Sequence, residues 1–195
     1  MKKFLFLFLF IHLTSNAQDY YIHAGKLFDS KQGKMLNNMT IIVSGKKILD
    51  VKKGFEYSKN DNDIIIDLKN STVMPGFIDL HVHIESEYNP EKYLNEFTAE
   101  ESEIAFSSLK FAKRTLMAGF TTVRDLGGSG VNISLRNAIN KGEVDGPRIF
   151  TAGKAIGTTG GHADPTNGWK KSIAGNPGPS EGVINGTDDA RKAVR

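Results

Sequence analysis

Two histidines in the first half of the chain have the spacing of a pair of metal ligands. His81 and His83 stand two positions apart at the end of an apolar run that begins at Phe77. Because side chains alternate between the two faces of a β-strand, a strand here puts both imidazoles on one face. Two imidazoles that converge on one cation suit zinc and its transition-metal neighbours. Asp79 lies one step deeper on that face and is predicted to act as an acceptor behind the histidines.

The surroundings of this pair favour a metal site over an incidental His-x-His pattern. A Pro-Gly step at residues 75–76 gives the predicted strand a sharp start. Three alternate positions are predicted to face an apolar layer: Ile78, Leu80 and Val82. The string Pro-Gly-Phe-Ile-Asp-Leu-His-Val-His resembles the first barrel strand of the amidohydrolase superfamily of metal-dependent hydrolases. This resemblance implies a divalent metal at His81 and His83, most often Zn²⁺, with one or two ions in the complete enzyme.

The order of predicted elements indicates an α/β fold in two parts. Short strands joined by tight turns are predicted at 20–24, 26–29, 39–44, 47–51 and 64–66, with Asn70-Ser71 ending the last. They form a small β-sandwich-like platform over residues 18–72, which resembles the platform that C-terminal strands complete in this family. Further on, strands are predicted at 77–83, 120–125 and 147–152, and helices at 101–118 and 133–140.

This alternation of strand and helix predicts right-handed βαβ units in a parallel sheet. Together with the motif on the first of these strands, residues 73–195 resemble the first three β/α units of a (β/α)8 TIM-type barrel, truncated before the remaining strands. A loop is predicted over residues 165–186, followed by a helix capped by Thr187 or Asp188.

A glycine-rich loop after the third predicted strand could also reach the site. A glycine pair in residues 157–164 lets the backbone bend tightly beside a histidine at the carboxyl face of the sheet. This loop and the runs at 122–128 and 146–148 resemble the imidazolonepropionase-like and Xaa-Pro dipeptidase-like branch of the superfamily. The resemblance implies substrate-binding roles for His162 and Asp164. The alternative is that both residues simply brace the loop.

The segment after the histidine pair is strongly acidic. It contains seven glutamates between residues 85 and 103, and Lys92 is its only basic residue. These carboxylates could bias the site toward cationic substrates. The favoured alternative is a solvated flank whose negative charges stabilise the start of the next helix through the helix dipole. His23, a lone histidine on a predicted platform strand, is expected to be structural.

Residues 1–17 have the features of a secretory signal. Lys2 and Lys3 precede an apolar stretch from Phe4 to Leu13, and small residues allow cleavage after Ala17. The stretch is too short to span a bilayer as a helix. We therefore expect an exported protein, periplasmic or extracellular, with no membrane span after signal cleavage.

Composition and motifs exclude several other classes of function. The net charge is +3, and two of the 25 basic residues fall in the signal segment, so the remaining chain is nearly neutral. The sequence contains no basic patch with interleaved aromatic residues, the pattern that would indicate nucleic-acid binding. No glycine-rich nucleotide motif and no G-x-S-x-G nucleophile turn is present.

Two hypotheses for function follow from the resemblance. The first is the N-terminal part of an exported metal-dependent amidohydrolase, which hydrolyses amide or cyclic amide C–N bonds by metal-activated water. Its partner would be a small-molecule amide or dipeptide substrate, with oligomerisation of the complete enzyme left open. The family takes its other metal ligands and its general base from later strands, and catalytic zinc usually needs three protein ligands. The second hypothesis is therefore a catalytically inactive fragment or weak metal-binding remnant.

Overall fold

The computed structural model describes residues 18–195, apart from three side chains: Lys92, Tyr93 and Glu96. The predicted signal segment, residues 1–17, lies outside the described residues. Within residues 18–195, no helix is both long and apolar enough to cross a membrane. The chain divides into two compact units, one ending at Pro75 and the other beginning at Gly76.

The first unit is one mixed β-sheet of four strands. They are β1 (Asp19–Asp29), β2 (Lys34–Ser44), β3 (Lys47–Lys53) and β4 (Ile64–Val73). Their spatial order is β3-β2-β1-β4, in which β1 runs parallel to β4 and the other neighbouring pairs are antiparallel. The predicted sandwich-like platform is thus a single sheet, and the described residues of this unit form no second sheet.

Strand β1 is continuous through Gly25, so the prediction of two short strands on either side of this glycine is wrong. The pairing of β1 with β4 shifts register at this point, as in a β-bulge. A Cβ at Gly25 would lie 1.8 Å from the carbonyl oxygen of Lys69, so only glycine fits the bulge. Beyond it β1 pairs with β4 again, which explains why β4 continues to Val73 instead of ending at Asn70.

His23 lies on β1 and is fully buried. Its Nε2 atom is 2.7 Å from the carbonyl oxygen of Glu56, and its ring packs between the rings of Phe55 and Tyr57, with centroids 5.3 and 4.9 Å away. All these contacts belong to the first unit, as expected of a structural histidine.

The second unit is a parallel sheet with helices. Its elements are β5 (Phe77–Val82), α1 (Lys92–Thr98), α2 (Glu101–Met117), β6 (Phe120–Asp125), α3 (Val131–Lys141), β7 (Arg148–Thr151), α4 (Lys171–Ala174), a 3₁₀ helix (Pro179–Glu181) and α5 (Thr187–Ala193). The strands lie in the order β5-β6-β7, and both neighbouring pairs are parallel. The predicted βαβ alternation and the α/β fold class are confirmed.

An apolar core joins this sheet to helices α2 and α3. Its buried members are Ile84, Ala112, Val123, Leu135 and Ile149. Val82 packs against this cluster as predicted, but the prediction that Ile78 and Leu80 face an apolar layer is wrong, because these side chains are 63% and 66% exposed. Strand β5 is an outer strand of the three-stranded sheet, so only the end nearest the core is covered.

The connection after β7 contains more structure than the predicted loop over residues 165–186. Helix α4 and the 3₁₀ helix lie within it. The N–H of Gly157 donates to the carbonyl of Gly182, and the N–H of Ile184 donates to the carbonyl of Gly157 at 2.8 Å. Val183, between these partners, is almost fully buried. The beginning and the later part of this long connection are therefore joined to each other by backbone hydrogen bonds.

The last helix begins at Thr187, one residue before its predicted start at Asp188, and its predicted cap is wrong. The N-cap of α5 is Gly186, and no side chain caps the helix. The first-turn carboxylate of Asp189 instead accepts the N–H of Asn185 at 3.2 Å. Through this bond, Asp189 inside the helix holds the backbone of Asn185, which directly precedes the N-cap.

Candidate functional site

The two histidines lie side by side at the carboxyl end of β5. The ring centroids of His81 and His83 are 5.5 Å apart, and the ring planes are inclined by 70°. Both side chains are exposed. This neighbouring placement follows from the two-residue repeat of the strand and agrees with the predicted pairing. Asp79 accepts the backbone N–H of His81 at 3.0 Å, so its observed contact is with the backbone behind the pair.

The imidazole of His83 is held by the next strand of the sheet. Its Nδ1 atom lies 2.8 Å from the carbonyl oxygen of Gly127. A carbonyl oxygen can only accept, so Nδ1 carries a proton, and in the neutral imidazole the lone pair of Nε2 is then free. A histidine ligand typically donates its second ring nitrogen to a carbonyl or carboxylate in this way. A Cβ at Gly127 would lie 2.6 Å from the Cβ of Ala155, which explains why glycine stands here.

The first glutamate after the pair is engaged in the fold. The carboxylate of Glu85 accepts the N–H groups of Ser129 at 2.6 Å and Asn132 at 2.5 Å, at the start of α3. Gly128 packs directly on it, because a Cβ there would lie 2.6 Å from the carboxylate. Glu85 thus connects the loop after β5 to the start of α3. Its negative charge also interacts favourably with the dipole at the N-terminus of this helix.

Other acids of the same segment also have partners. Glu87 forms ion pairs with Lys110 at 3.8 Å and with Arg114. Glu103 accepts the N–H of Glu100 at 2.9 Å, in the first turn of α2. These contacts are a hydrogen bond at the start of α2 and solvent-exposed ion pairs. They give no support to the hypothesis that these glutamates bind a cationic substrate.

The Gly-Gly-His loop has a different arrangement from the histidine pair. Asp164 is buried and accepts the N–H groups of Gly160 at 2.8 Å and Thr166 at 2.9 Å, and also the Thr166 hydroxyl at 2.8 Å. These donors lower the pKa of the Asp164 carboxyl, the Gly160 N–H contributing most. His162 is exposed. For Asp164 the geometry therefore favours the bracing alternative, and substrate binding by His162 stays a prediction.

The histidine pair fits a divalent metal in its donor chemistry but not in ligand number. Two imidazoles, one with its Nε2 atom freed by a backbone carbonyl, are suitable zinc ligands. Among the side chains that the structure describes, no group of three or more His, Asp or Glu residues is placed to hold a metal ion. The described residues therefore offer two candidate ligands, one fewer than catalytic zinc usually takes from a protein.

Sequence reasoning did not find the residues that hold the pair in place. Gly127 and Glu85 are separated from their partners by more than forty positions, so no local pattern reveals their contacts. One available signal was the buried strand ending in Asp125 before two glycines, because a buried carboxylate requires nearby donors.

Comparison with known proteins agrees with this geometry. The model of the amidohydrolase family matches residues 72–195. The chain belongs to this family. The resemblance of the strand-one motif is thus confirmed, and the three β/α units are the opening part of an amidohydrolase barrel.

Individual amidohydrolases are similar over nearly the whole chain. Ochratoxinase from Aspergillus niger is 28% identical over 208 residues, covering 96% of this chain and 41% of its own length. A crystal structure of a Xaa-Pro dipeptidase with bound methionine in the active site is 46% identical, with a TM-score of 0.82, over 91% of this chain and 43% of its own. A prolidase complexed with N-methylphosphonate-L-proline is 32% identical, with a TM-score of 0.73, over 90% and 43%. The chain thus spans about two fifths of these relatives.

The hydrogen bonds of Asp164 predict a pH-dependent loop. Above the ordinary pKa of 3.8, the carboxylate is ionised in the folded and the unfolded chain, so the bonds stabilise the loop fully. As pH falls below that value the unfolded chain takes up protons first, and the stabilisation is lost as pH passes the lowered folded pKa. Protection of the Gly160 and Thr166 amides from hydrogen exchange should therefore stay constant down to about pH 4 and fall below it.

The matched variants are Asp164→Asn and the exposed Asp145→Asn. Asp164→Asn should lower protection of both amides at neutral pH and remove its loss in acid, while Asp145→Asn behaves like the wild type. Protection in Asp164→Asn equal to the wild type at neutral pH would contradict the bracing role.

Proposed function

We propose that this chain is the N-terminal part of an exported metal-dependent amidohydrolase that hydrolyses amide or cyclic amide C–N bonds. The observation that carries the proposal is the pairing of His81 and His83 at the end of β5, with the Nε2 atom of His83 freed by the Gly127 carbonyl. Membership of the amidohydrolase family supports the class of reaction.

In this proposal the histidine pair holds a divalent metal, most suitably Zn²⁺. When bound, such a metal lowers the pKa of a coordinated water and polarises the carbonyl of the scissile bond. His81 and His83 would contribute neutral imidazoles, and the contact of His83 Nδ1 with the Gly127 carbonyl supports a ligand role for its Nε2 atom. The other ligands and the general base would come from the part of the family fold that this chain does not span.

A peptide or N-acyl amino acid is the proposed substrate class. The similarity to a Xaa-Pro dipeptidase, a prolidase and ochratoxinase supports a small amide substrate over a polymer. His162, exposed on the Gly-Gly-His loop, is proposed to bind a carbonyl or carboxylate of that substrate. Asp164 is proposed to act indirectly, by keeping the loop in shape.

A second candidate is a catalytically inactive, weakly metal-binding chain. The shortage of ligands favours it, because residues 18–195 bring no third suitable side chain to the histidine pair. The two candidates describe different lengths of protein: activity is proposed for the completed barrel and weak metal binding for the 195-residue chain by itself.

Metal binding by the chain tests the histidine pair directly. We expect one Zn²⁺ to bind weakly in isothermal titration calorimetry. His81→Ala and His83→Ala should each lower the affinity more than the factor of about 10 to 100 typical of losing a residue behind a ligand. His162→Ala, which removes another exposed histidine, serves as the control and should bind as the wild type does. Undiminished binding in a His81→Ala/His83→Ala double variant would refute the proposed site.

Hydrolysis assays test the function. The 195-residue chain with added Zn²⁺ should give no turnover of Xaa-Pro dipeptides or N-acyl amino acids, because the ligand set is incomplete. The same chain joined to the remaining barrel of the similar Xaa-Pro dipeptidase should be active with zinc and lose activity on chelation or in His81→Ala. Turnover by the short chain alone would contradict the second candidate. A folded, zinc-loaded chimera inactive on the whole panel would contradict the first.

Export is tested by the fate of residues 1–17. A fusion of residues 1–40 to a reporter should be recovered from the bacterial periplasm with Gln18 as its first residue by mass spectrometry, because signal peptidase cleaves after small residues. Changing Lys2 and Lys3 to glutamate should reduce export, since it removes the positive start of the signal. Recovery of the fusion with the segment uncleaved in the cytoplasm would rule out the signal.

A further inference from the structure

The structure assigns a positioning role to Asp125, a buried carboxylate at the end of β6. We infer that Asp125 sets the tautomer and orientation of the His83 imidazole through the backbone of Gly127. The inference concerns the ring and its surroundings, and its consequence for metal binding rests on the proposed function.

Asp125 is fully buried, and all its hydrogen-bond partners are N–H donors. Its Oδ2 atom accepts the N–H of Ile84 at 2.9 Å. Its Oδ1 atom accepts the N–H of Gly127 at 3.0 Å and the Nδ2–H of Asn132 at 3.1 Å. Among the described side chains, Asp125 makes no ion pair with a lysine or arginine. Since burying a charge is costly unless it is paired or hydrogen-bonded, these three donors are what make the position tolerable.

Two of those donors belong to backbone that is directly connected with the His83 imidazole, one by covalent bonds and one by a hydrogen bond. Ile84 directly follows His83 in the chain, so its bond fixes the backbone that carries the ring. Gly127 supplies the carbonyl that accepts the ring's Nδ1–H at 2.8 Å, and its own N–H is fixed by Asp125. One carboxylate therefore holds both the backbone behind the ring and the backbone that the ring contacts.

Asn132 holds the carboxylate in turn. It is fully buried, and its Nδ2 group also donates to the carbonyl of Gly153 at 3.0 Å, just after β7. Its Oδ1 atom is buried and has no hydrogen-bond partner among the described residues. An amide turned the other way would direct this oxygen at the Asp125 oxygen, so the side chain keeps the orientation that serves Asp125 despite the unpaired atom.

The consequence is chemical as well as structural. With the carbonyl fixed, the Nδ1–H tautomer of His83 is selected and the Nε2 lone pair stays available. In free neutral histidine the proton prefers Nε2, so the bond reverses the intrinsic preference. Loss of Asp125 should release the Gly127 carbonyl and return His83 to the Nε2–H tautomer, in which this nitrogen cannot bind a metal.

The test is long-range ¹H–¹⁵N spectroscopy of the imidazoles in the metal-free, ¹⁵N-labelled chain at slightly alkaline pH. His83, assigned from the spectrum of His83→Gln, should be in the Nδ1–H tautomer in the wild type. Asp125→Asn should shift it to Nε2–H, because both carboxylate oxygens already face N–H donors and an amide NH₂ would repel one of them. Asp145→Asn, the exposed control, should leave the tautomer unchanged. The tautomer of His23 reports on folding of the first unit, because the carbonyl that its Nε2 atom faces selects the Nε2–H form.

Circular dichroism and the methyl resonances of Val123 and Leu135 show whether the second unit remains folded. If Asp125→Asn unfolds, Asn132→Ala takes its place: it removes one donor to the carboxylate, and the share of Nδ1–H tautomer should fall. A wild-type His83 in the Nε2–H tautomer, or a folded variant with an unchanged share, would overturn the inference.

Metal affinity gives the second measurement. If the proposed function holds, folded Asp125→Asn should bind Co²⁺ about 10- to 100-fold more weakly than the wild type and Asp145→Asn should bind equally. Equal Co²⁺ affinity in Asp125→Asn and the wild type would overturn the metal consequence. A tautomer change in a chain that binds no Co²⁺ would support the inference and contradict the proposed site, so the two failures are distinguishable.

Discussion

The hydrogen bond from the His83 ring to the Gly127 carbonyl is the constraint on which the candidate site depends. It crosses from the end of β5 to the loop after β6, so it exists only when the two strands lie parallel and in register. The surrounding contacts hold these strands together: Val123 and Ile149 anchor β6 and β7 in the core, and Glu85 connects the β5 loop to the start of α3. The site is thus a product of the sheet as a whole.

Local patterns were enough to predict the elements and the histidine pair. Strand β6 matches its predicted range, and α2 ends one residue earlier than predicted, before the positive φ of Gly119. The pair follows from the two-residue repeat alone, which needs no knowledge of neighbours. The contacts that orient His83 could not be predicted in this way, because Gly127 acts through a carbonyl that every residue carries. His83 and the Gly127 carbonyl that orients its ring are 44 positions apart in the sequence.

Two of the errors share one physical cause, which is that a sequence does not show which tertiary neighbours surround a residue. Ile78 and Leu80 have the apolar pattern of a covered face, yet they lie on an outer strand of the described sheet. The β1 error is similar: Gly25 resembles a turn residue until its close approach to the Lys69 carbonyl is known. In both places the missing information is tertiary.

The candidate site separates two requirements that a metal centre usually combines. The orientation of one proposed ligand, His83, is provided within this chain through Asp125, Asn132 and the Gly127 carbonyl. The number of ligands is not, since two imidazoles fall short of the usual three protein ligands of catalytic zinc. Orientation is set by buried hydrogen bonds that form as the second unit folds. Under the proposed function, the remaining ligands would come from the about three fifths of these relatives' length that this chain does not span. In that proposal, this part of an amidohydrolase barrel presents an oriented but incomplete ligand pair.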